Sequence, residues 1–343
     1  VTAELQHFKQ LIAKAAGGAT LTLEEARDAF DLMMTGNATP AQMAGLLMAL
    51  RVRGETVEEI TAGALALRER MTRISAPADA VDTCGTGGDA SGTYNISTAA
   101  ALVVAGCGVP VAKHGNRGLS SRSGSSDVLQ ALGVNVECDL SLVERCIQEA
   151  GVGFMMAPRH HGAMRHVAGP RVELGTRTIF NLLGPLANPA GVKRQIMGVF
   201  AAEWVEPLAR VLGRLGAERA WVVHGQGLDE LATTGPSLVA EWDGDQVRTF
   251  EVSPEDAGLK RGSLEDLRGG DAAHNAEAIR AVLSGVKGPF RDAVLLGASG
   301  ALIVAGKVSN LAEGVQVAAQ SIDSDAAMLA LERLVRITNE AVA

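Results

Sequence analysis

Residues 82–126 read DTCGTGGDASGTYNISTAAALVVAGCGVPVAKHGNRGLSSRSGSS, two polar, glycine-rich loops on either side of one apolar helix. In the first loop Gly85, Gly87, Gly88 and Gly92 allow tight turns and close approach of backbone to a ligand. Asn95, Ser97 and Thr98 offer side-chain oxygens where the helix should start. Amides at a helix start, backed by the positive end of the helix dipole, make a phosphate cradle. The second loop, from Lys113 to Ser126, carries Lys113, His114, Arg117 and Arg122 among Asn116, Ser120, Ser121, Ser123 and Ser125. No Asp or Glu occurs between Asp89 and Asp127, although the whole chain has a formal net charge of -8. A cationic, hydroxyl-rich site in an acidic protein predicts an anionic ligand. A glycine-rich loop before a helix is also an ordinary turn, and this one is neither a Walker A loop nor the three-glycine dinucleotide fingerprint. Two such loops around one strand-helix unit raise the phosphate reading above the ordinary one.

Outward from this stretch the chain divides. Residues 1 to about 72 read as helices only. Thr22 with Glu25, Thr39-Pro40 with Gln42, and Thr56 with Glu59 mark three helix starts, and Met43, Leu46, Leu47 and Leu50 form one of the apolar stripes. Ser75-Ala76-Pro77 reads as a hinge. From Val81 onward short apolar strands alternate with helices: strands at 109–112, 152–156, 195–200 and 220–223, helices at 97–106, 126–132 and 141–150. That order predicts a largely parallel sheet covered on both faces, with ligands beyond the carboxyl ends of its strands, where both polar loops fall. Residues 237–250 read as a hairpin about Asp243-Gly244, and helices at 275–283, 293–304 and 326–335 cover the sheet.

Length and composition bound the class. At 343 residues the chain has room for a small and a large domain; 47% hydrophobic and 20% charged residues describe an ordinary globular protein. An aromatic content of 3% and a sequence pI of about 5.5 argue against a nucleic-acid surface. Cys84, Cys107, Cys138 and Cys146 show no metal or redox spacing and read as reduced thiols, with Cys84 a packing residue. No apolar run is long enough for a membrane span and the N-terminal residues lack a signal-peptide core, so a cytoplasmic location is expected.

Two further segments carry chemistry. Between Ala157 and Arg177 seven cationic or imidazole side chains stand against the single acid Glu173. Such a run is commonly a solvated helix face, but an Arg in an acid-poor segment also suits a planar carboxylate. Asp229-Glu230 follows the strand ending at Val223. Adjacent acids are usually surface charges; at a strand end they also suit magnesium, which takes one or two protein carboxylates and completes its shell with water and phosphate oxygens.

The motifs Cys84-Gly85-Thr86-Gly87-Gly88-Asp89, Asn95-Ile96-Ser97-Thr98 and Lys113-His114-Gly115-Asn116-Arg117, followed by Ser120-Ser121 and Ser123-Gly124-Ser125, resemble the signature of the anthranilate phosphoribosyltransferases. Residues 177–189, RTIFNLLGPLANP, and Gly227-Leu228-Asp229-Glu230 extend the resemblance over nearly the whole chain. It implies an α/β fold of the nucleoside phosphorylase/phosphoribosyltransferase type: a small all-helical N-terminal domain, residues 1–74 joined by a segment returning near 164–182, and a larger α/β domain with a mostly parallel central sheet, residues 75–343. It implies transfer of the phosphoribosyl group of 5-phosphoribosyl 1-diphosphate (PRPP) to the amine of anthranilate, the second step of tryptophan biosynthesis from chorismate, by a Mg²⁺-dependent homodimer paired through its helical domains. Closure between the domains is expected about the Ser75–Pro77 hinge and the Arg171 region.

Carried over residue by residue, the resemblance assigns PRPP to Gly85, Gly88, Asp89, Thr93, Asn95, Ile96, Ser97, Thr98, Lys113, His114, Gly115, Asn116, Arg117, Gly118, Leu119, Ser120, Ser121 and Ser125. Anthranilate falls to Gly85, Asn116, Arg171 as its carboxylate partner, and His161; the metal falls to Ser97, Asp229 and Glu230. No general base is nominated, because a weakly basic aromatic amine needs positioning more than proton removal. The chain departs from the family pattern at Ala90, where Gly commonly stands, at Ala168-Gly169-Pro170, at Gly297-Ala298-Ser299-Gly300, and in a loop His224-Gly225-Gln226-Gly227 that is one residue short. A pyrimidine nucleoside phosphorylase of the same architecture is the rival enzyme; Asn116-Arg117 and Asp229-Glu230 favour the transferase. A nucleic-acid-binding relative is disfavoured by the acidic charge.

Overall fold

The computed structural model describes residues 3–118 and 122–341; Leu119, Ser120 and Ser121 of the second loop lie outside the described residues. The chain forms two compact units, one of residues 1–73 and 158–189, the other of residues 74–157 and 190–343.

The first unit is helical. It starts with α1 (Ala3–Ala16), α2 (Leu23–Met34), α3 (Pro40–Arg53) and α4 (Val57–Arg70). The three helix starts read from the sequence are capping boxes at Thr22, Thr39 and Thr56, each side chain accepting from the amide three residues on. Reciprocal bonds satisfy two otherwise orphaned amides, which is why these Thr-x-x-Glu/Gln patterns locate helices so sharply.

Glu59 does more than cap. It is fully buried, its carboxylate accepts from the amides of Leu21 (2.9 Å) and Thr56 (2.9 Å), and it pairs with Arg53, which also donates to the Ala19 carbonyl at 2.6 Å. Removing one partner of a buried pair strands the other charge, so Glu59→Ala should cost about 3–5 kcal/mol of unfolding free energy, read by urea denaturation. A loss below about 1 kcal/mol would mean that the pair is solvated.

The second unit opens with β1 (Val81–Asp82), α5 (Ile96–Gly106), β2 (Val111–Gly115), α6 (Ser125–Ala131), α7 (Leu140–Arg145) and β3 (Val152–Met156). The chain then returns to the helical unit through α8 (Ala157–His160), α9 (Arg165–Leu174) and α10 (Phe180–Leu183). This return spans 158–189, longer at both ends than the expected 164–182. Phe180 meets Phe30 edge to face, with ring centroids 5.8 Å apart, and Arg68 Nε donates to the Leu186 carbonyl at 2.7 Å.

The α/β unit resumes with β4 (Arg194–Gly198), α11 (Val205–Arg214), β5 (Arg219–Gly225), β6 (Ser237–Trp242), β7 (Val247–Val252), α12 (Ala272–Leu283), α13 (Pro289–Val304), α14 (Leu311–Asp323) and α15 (Ala326–Thr338). Among the described residues seven strands form the sheet in the order β3-β2-β1-β4-β5-β6-β7, parallel from β3 to β5 and antiparallel at β5-β6 and β6-β7. The order reverses between β1 and β4, the position at which open parallel sheets bind ligands. Every residue of α13 from Phe290 to Val304 except Asp292 is buried, as expected of a helix apolar all round.

Several boundaries differ from the sequence expectation. The strand expected at 109–112 is Val111–Gly115, because its polar end, Lys113 and His114, continues to pair with β3. The helix expected at 141–150 ends its α-helical part at Arg145 and continues as a wider π turn, Cys146–Ala150. The Ser75–Pro77 stretch is fastened to the α/β unit: Ile74 belongs to that unit's core and the Ser75 amide donates to Glu144 at 2.7 Å. The change of unit therefore comes one residue earlier, after Arg73.

Candidate functional site

The polar loops of the α/β unit follow the carboxyl ends of β1 and β2, beside those of β4 and β5. The first loop leaves β1 and is pinned to the end of β4: the Thr86 amide donates to the Gly198 carbonyl at 2.9 Å and the Phe200 amide to Thr86 Oγ1 at 3.1 Å. Asp229 closes over the same point. Its Oδ2 accepts from the Gly87 amide at 2.7 Å, and its own amide donates to Asp89 Oδ2 at 3.3 Å. The approach needs glycine on both flanks, since a Cβ at Gly85 would lie 2.6 Å from Asp229 Oδ2 and one at Gly198 1.5 Å from the Asp229 carbonyl oxygen.

The short loop before Asp229 is a two-residue turn. Gly225 and Leu228 exchange backbone hydrogen bonds of 3.1 and 2.9 Å, and Gln226 and Gly227 both have positive φ, the geometry that matches the twist of flanking strands. The missing residue is thereby absorbed, and Asp229 and Glu230 follow the turn into the site. Ala90 also has positive φ, at 60°, a conformation that L residues adopt at some cost and the reason a glycine suits this position.

Glu230 Oε1 accepts from the Ser97 amide, the second residue of α5, at 3.1 Å. Lys113 Nζ donates to the Thr83 carbonyl (3.1 Å) and reaches Ser97 Oγ at 3.4 Å, so the buried ammonium lies beneath the first loop. The carboxyls of Asp229 and Glu230 hold their protons well above the usual carboxylate range. For Asp229 the first cause is burial and the second the charge of Asp89; for Glu230 they are burial and then Asp229. Crowded acids with this proton affinity suit a divalent cation. Among the described residues no set of three or more His, Cys, Asp or Glu forms a ready metal cage. A site for Mg²⁺ does not require one, because water and phosphate oxygens complete its shell; two adjacent carboxylates, one against the first loop and one at the Ser97 amide, fit it.

Other expectations change. Asn95 is the residue before α5 but makes no side-chain cap. The His114 amide is already committed to Asp82 Oδ1 (3.2 Å), the Arg117 amide to Asn116 Oδ1 (2.8 Å) and the Gly118 amide to Asp127 Oδ2 (2.9 Å), so these three are not open phosphate donors. Asp127 also takes the Gly124 amide at 2.8 Å, so one carboxylate holds amides on both described flanks of the second loop. Gly115 sits against Ser125, whose hydroxyl donates to the Asn116 carbonyl at 3.2 Å. Ile96 is buried, and the buried Thr98 side chain lines a small internal cavity with Lys113. Arg117 is exposed and pairs with Glu137. Thr93 is half-buried and bridges Arg268. Cys84 is buried as a packing residue, its thiol pushed far up by burial. Gly198, Thr83 and Asn275 escaped the sequence reading. A glycine ending an apolar strand was a usable signal for the first; nothing local marks the other two.

In the helical unit Arg171 makes no ion pair among the described residues, and its guanidinium lies 5.4 Å from the centre of the Phe180 ring. Burial lowers its pKa below the usual guanidinium value. His161 is buried, and burial, followed by the neighbouring His160, pushes its pKa down to about 4. His160 is lowered as well, chiefly by burial, and its Nδ1 lies 2.7 Å from the Thr72 carbonyl. Both rings are neutral in the native state where the unfolded chain, near pH 6.5, begins to take up protons. The unfolded state then binds more protons, so stability is full above about pH 6.5 and is lost as pH falls toward 4. Melting curves from pH 7 to 4.5 should show this loss, and His160→Asn/His161→Asn should flatten it; parallel curves for the two proteins would refute the assignment.

Residues 77–328 match the model of the glycosyl transferase family a/b domain, and residues 9–71 that of the family's helical bundle domain. Anthranilate phosphoribosyltransferase of Rhodospirillum rubrum is 64% identical over 331 residues, 96% of this chain and 95% of that protein. The chain belongs to the anthranilate phosphoribosyltransferase family. Among solved structures, the family member from Thermus thermophilus is 47% identical with a TM-score of 0.91, covering 96% of this chain and 99% of that one. The Saccharomyces cerevisiae member, solved in complex with PRPP and Mg, is 28% identical with a TM-score of 0.88, covering 96% and 97% of the two chains. The same yeast protein, in complex with 4-fluoroanthranilate, gives a TM-score of 0.86 at 27% identity, covering 98% and 97%.

Proposed function

We propose that this chain transfers the phosphoribosyl group of PRPP to the amine of anthranilate, giving N-(5-phosphoribosyl)anthranilate and diphosphate, the second step of tryptophan biosynthesis from chorismate. The observation that carries the reading is the convergence of Asp229 and Glu230 on the first glycine-rich loop and the start of α5, in a chain of this family.

Breaking the bond from C1 to diphosphate leaves negative charge on the leaving group and an oxocarbenium-like sugar. Mg²⁺, which the yeast relative's structure contains, would be held by Asp229, Glu230 and Ser97 and would neutralise diphosphate charge when bound. Gly88 and Asp89 line the diphosphate and ribose. Lys113 contributes a fixed positive charge beneath the loop, and the segment from Asn116 through Ser125 holds phosphate with hydroxyls and the amides not already bonded. Gly85 and Asn116 position anthranilate. Arg171, which has no acidic partner among the described residues, takes its carboxylate, since the guanidinium fork matches two oxygens. His161, buried and neutral, guides it. No side chain is needed as a base; orientation of the amine toward C1 supplies the acceleration.

A homodimer through the helical unit belongs to the same proposal; Val52 and Val172, 82% and 80% exposed, are apolar side chains of that unit that such pairing would cover. So does a cytoplasmic location: among the described residues no helix is long and apolar enough to cross a membrane, and the four cysteines are free. The test follows anthranilate fluorescence in purified protein with PRPP, with and without Mg²⁺. Loss of signal that requires both supports the proposal. No turnover under any metal condition, or metal-independent phosphorolysis of uridine or thymidine, overturns it.

A further inference from the structure

We infer that Asn275, in the first turn of α12, is a positioning residue that holds both phosphate loops in register and keeps the start of α5 open. The inference rests on the transferase reading only for the ligand involved. Asn275 is 1% exposed. Its Oδ1 accepts from the Gly270 amide at 2.8 Å, which orients its amide group and leaves Nδ2 to donate to Asn95 Oδ1 at 2.9 Å. Asn95 in turn donates from Nδ2 to the Ser123 carbonyl at 3.1 Å, and Ser123 Oγ lies 3.3 Å from Asn95 Oδ1. One asparagine of the first loop is thus tied to the second loop and to a helix distant in sequence.

The segment before α12 reinforces the clasp. The Gly269 amide donates to the Gly92 carbonyl at 2.8 Å and the Tyr94 amide to the Leu267 carbonyl at 3.0 Å. The Tyr94 ring stacks on Phe290 at 4.4 Å and on His274 at 5.6 Å.

The consequence lies at α5. An asparagine at this position ordinarily turns its Oδ1 onto the second or third helical amide. Here that oxygen is occupied, no cap forms, and the Ser97 amide goes to Glu230 instead. Without the Asn275 donor, Asn95 Oδ1 keeps only the longer bond from Ser123 Oγ, and its intrinsic preference for a helical amide competes with that single bond. It then consumes the Thr98 amide, the one at the dipole end that Glu230 does not already hold, and it lets go of Ser123.

The experiment compares wild type with Asn275→Ala and with Asn275→Asp, which keeps the shape and the Gly270 bond but presents an oxygen to Asn95. Each is measured for KM of PRPP and of anthranilate, for melting temperature, and for amide exchange by NMR at Ser97 and Thr98 without substrate. In both variants KM for PRPP should rise about tenfold, the worth of one buried hydrogen bond, while KM for anthranilate stays nearly constant. Exchange at Thr98 should slow as Asn95 swings in to cap it, with Ser97, already held by Glu230, as the internal reference.

Unchanged PRPP affinity with an unchanged exchange pattern would overturn the assignment. Failure of both variants to fold would also overturn it, by making Asn275 a stability element. If wild type shows no transfer at all, the transferase reading falls by itself, and the exchange comparison still decides the clasp.

Discussion

Asp229→Asn/Glu230→Gln should lower kcat/KM for transfer by about 10³-fold or more while leaving the metal-free protein at least as stable. Loss of a single preorganised electrostatic contact to a developing charge commonly costs about 10²–10³ in rate, and here two carboxylates are lost together. The amide side chains preserve shape: the carbonyl oxygen of each can still accept from the Gly87 and Ser97 amides, the bonds made by the two acids. The stability side follows from linkage. A carboxyl whose native proton affinity is raised by burial and by a like charge stabilises the native state only while it remains protonated, and that contribution is lost as pH rises through its native pKa. Neutral isosteres avoid this loss, so the melting temperature at pH 8 should not fall. Retained activity at saturating Mg²⁺ would refute the assignment of this pair, and a large fall in melting temperature would show that the fold depends on the acids through contacts that the amides do not reproduce.

Gly198→Ala should be the most damaging single methyl group in the α/β unit. The added carbon would stand 1.5 Å from the Asp229 carbonyl oxygen, a backbone atom with no rotamer to escape into. Either β4 or the segment carrying Asp229 and Glu230 must move, and both are fixed, β4 by its pairing with β1 and β5 and Asp229 by the first loop. Overpacking of this kind costs about 1–3 kcal/mol and at times more. A displacement near 1 Å at reacting groups is enough for about a 10²-fold loss of rate. Chemical denaturation and kcat/KM measured together separate the two effects. A variant with wild-type stability and wild-type kcat/KM would mean that the close approach of β4 to Asp229 is not needed for catalysis.

The contrast between Asn95 and the threonine caps shows where sequence reading stops. Thr22, Thr39 and Thr56 act on amides three residues away, so their capping boxes are local and legible in the chain itself. Asn95 has the same intrinsic preference, but its partner is Asn275, 180 residues away. The second loop divides in the same way: its cationic, hydroxyl-rich character is plain in the composition, whereas the capture of the Gly118 and Gly124 amides by Asp127 required the loop to be folded.

Short windows of the chain specify the helical start, the alternation that makes a parallel sheet, the polar loops at its strand ends and, through the motifs around Gly85, Lys113 and Asp229, the family. Periodicity, capping and turn chemistry act within such windows, so these features need no knowledge of the fold. Tertiary structure alone settles which amides are already committed, why Gly198 has no side chain, how a two-residue turn delivers Asp229 and Glu230 to the first loop, and why Asn95 leaves its helix uncapped. Each of these is a competition for one hydrogen-bonding group or one small volume among residues far apart in the chain. The winner is determined by which strands and helices the fold brings within about 3 Å of one another.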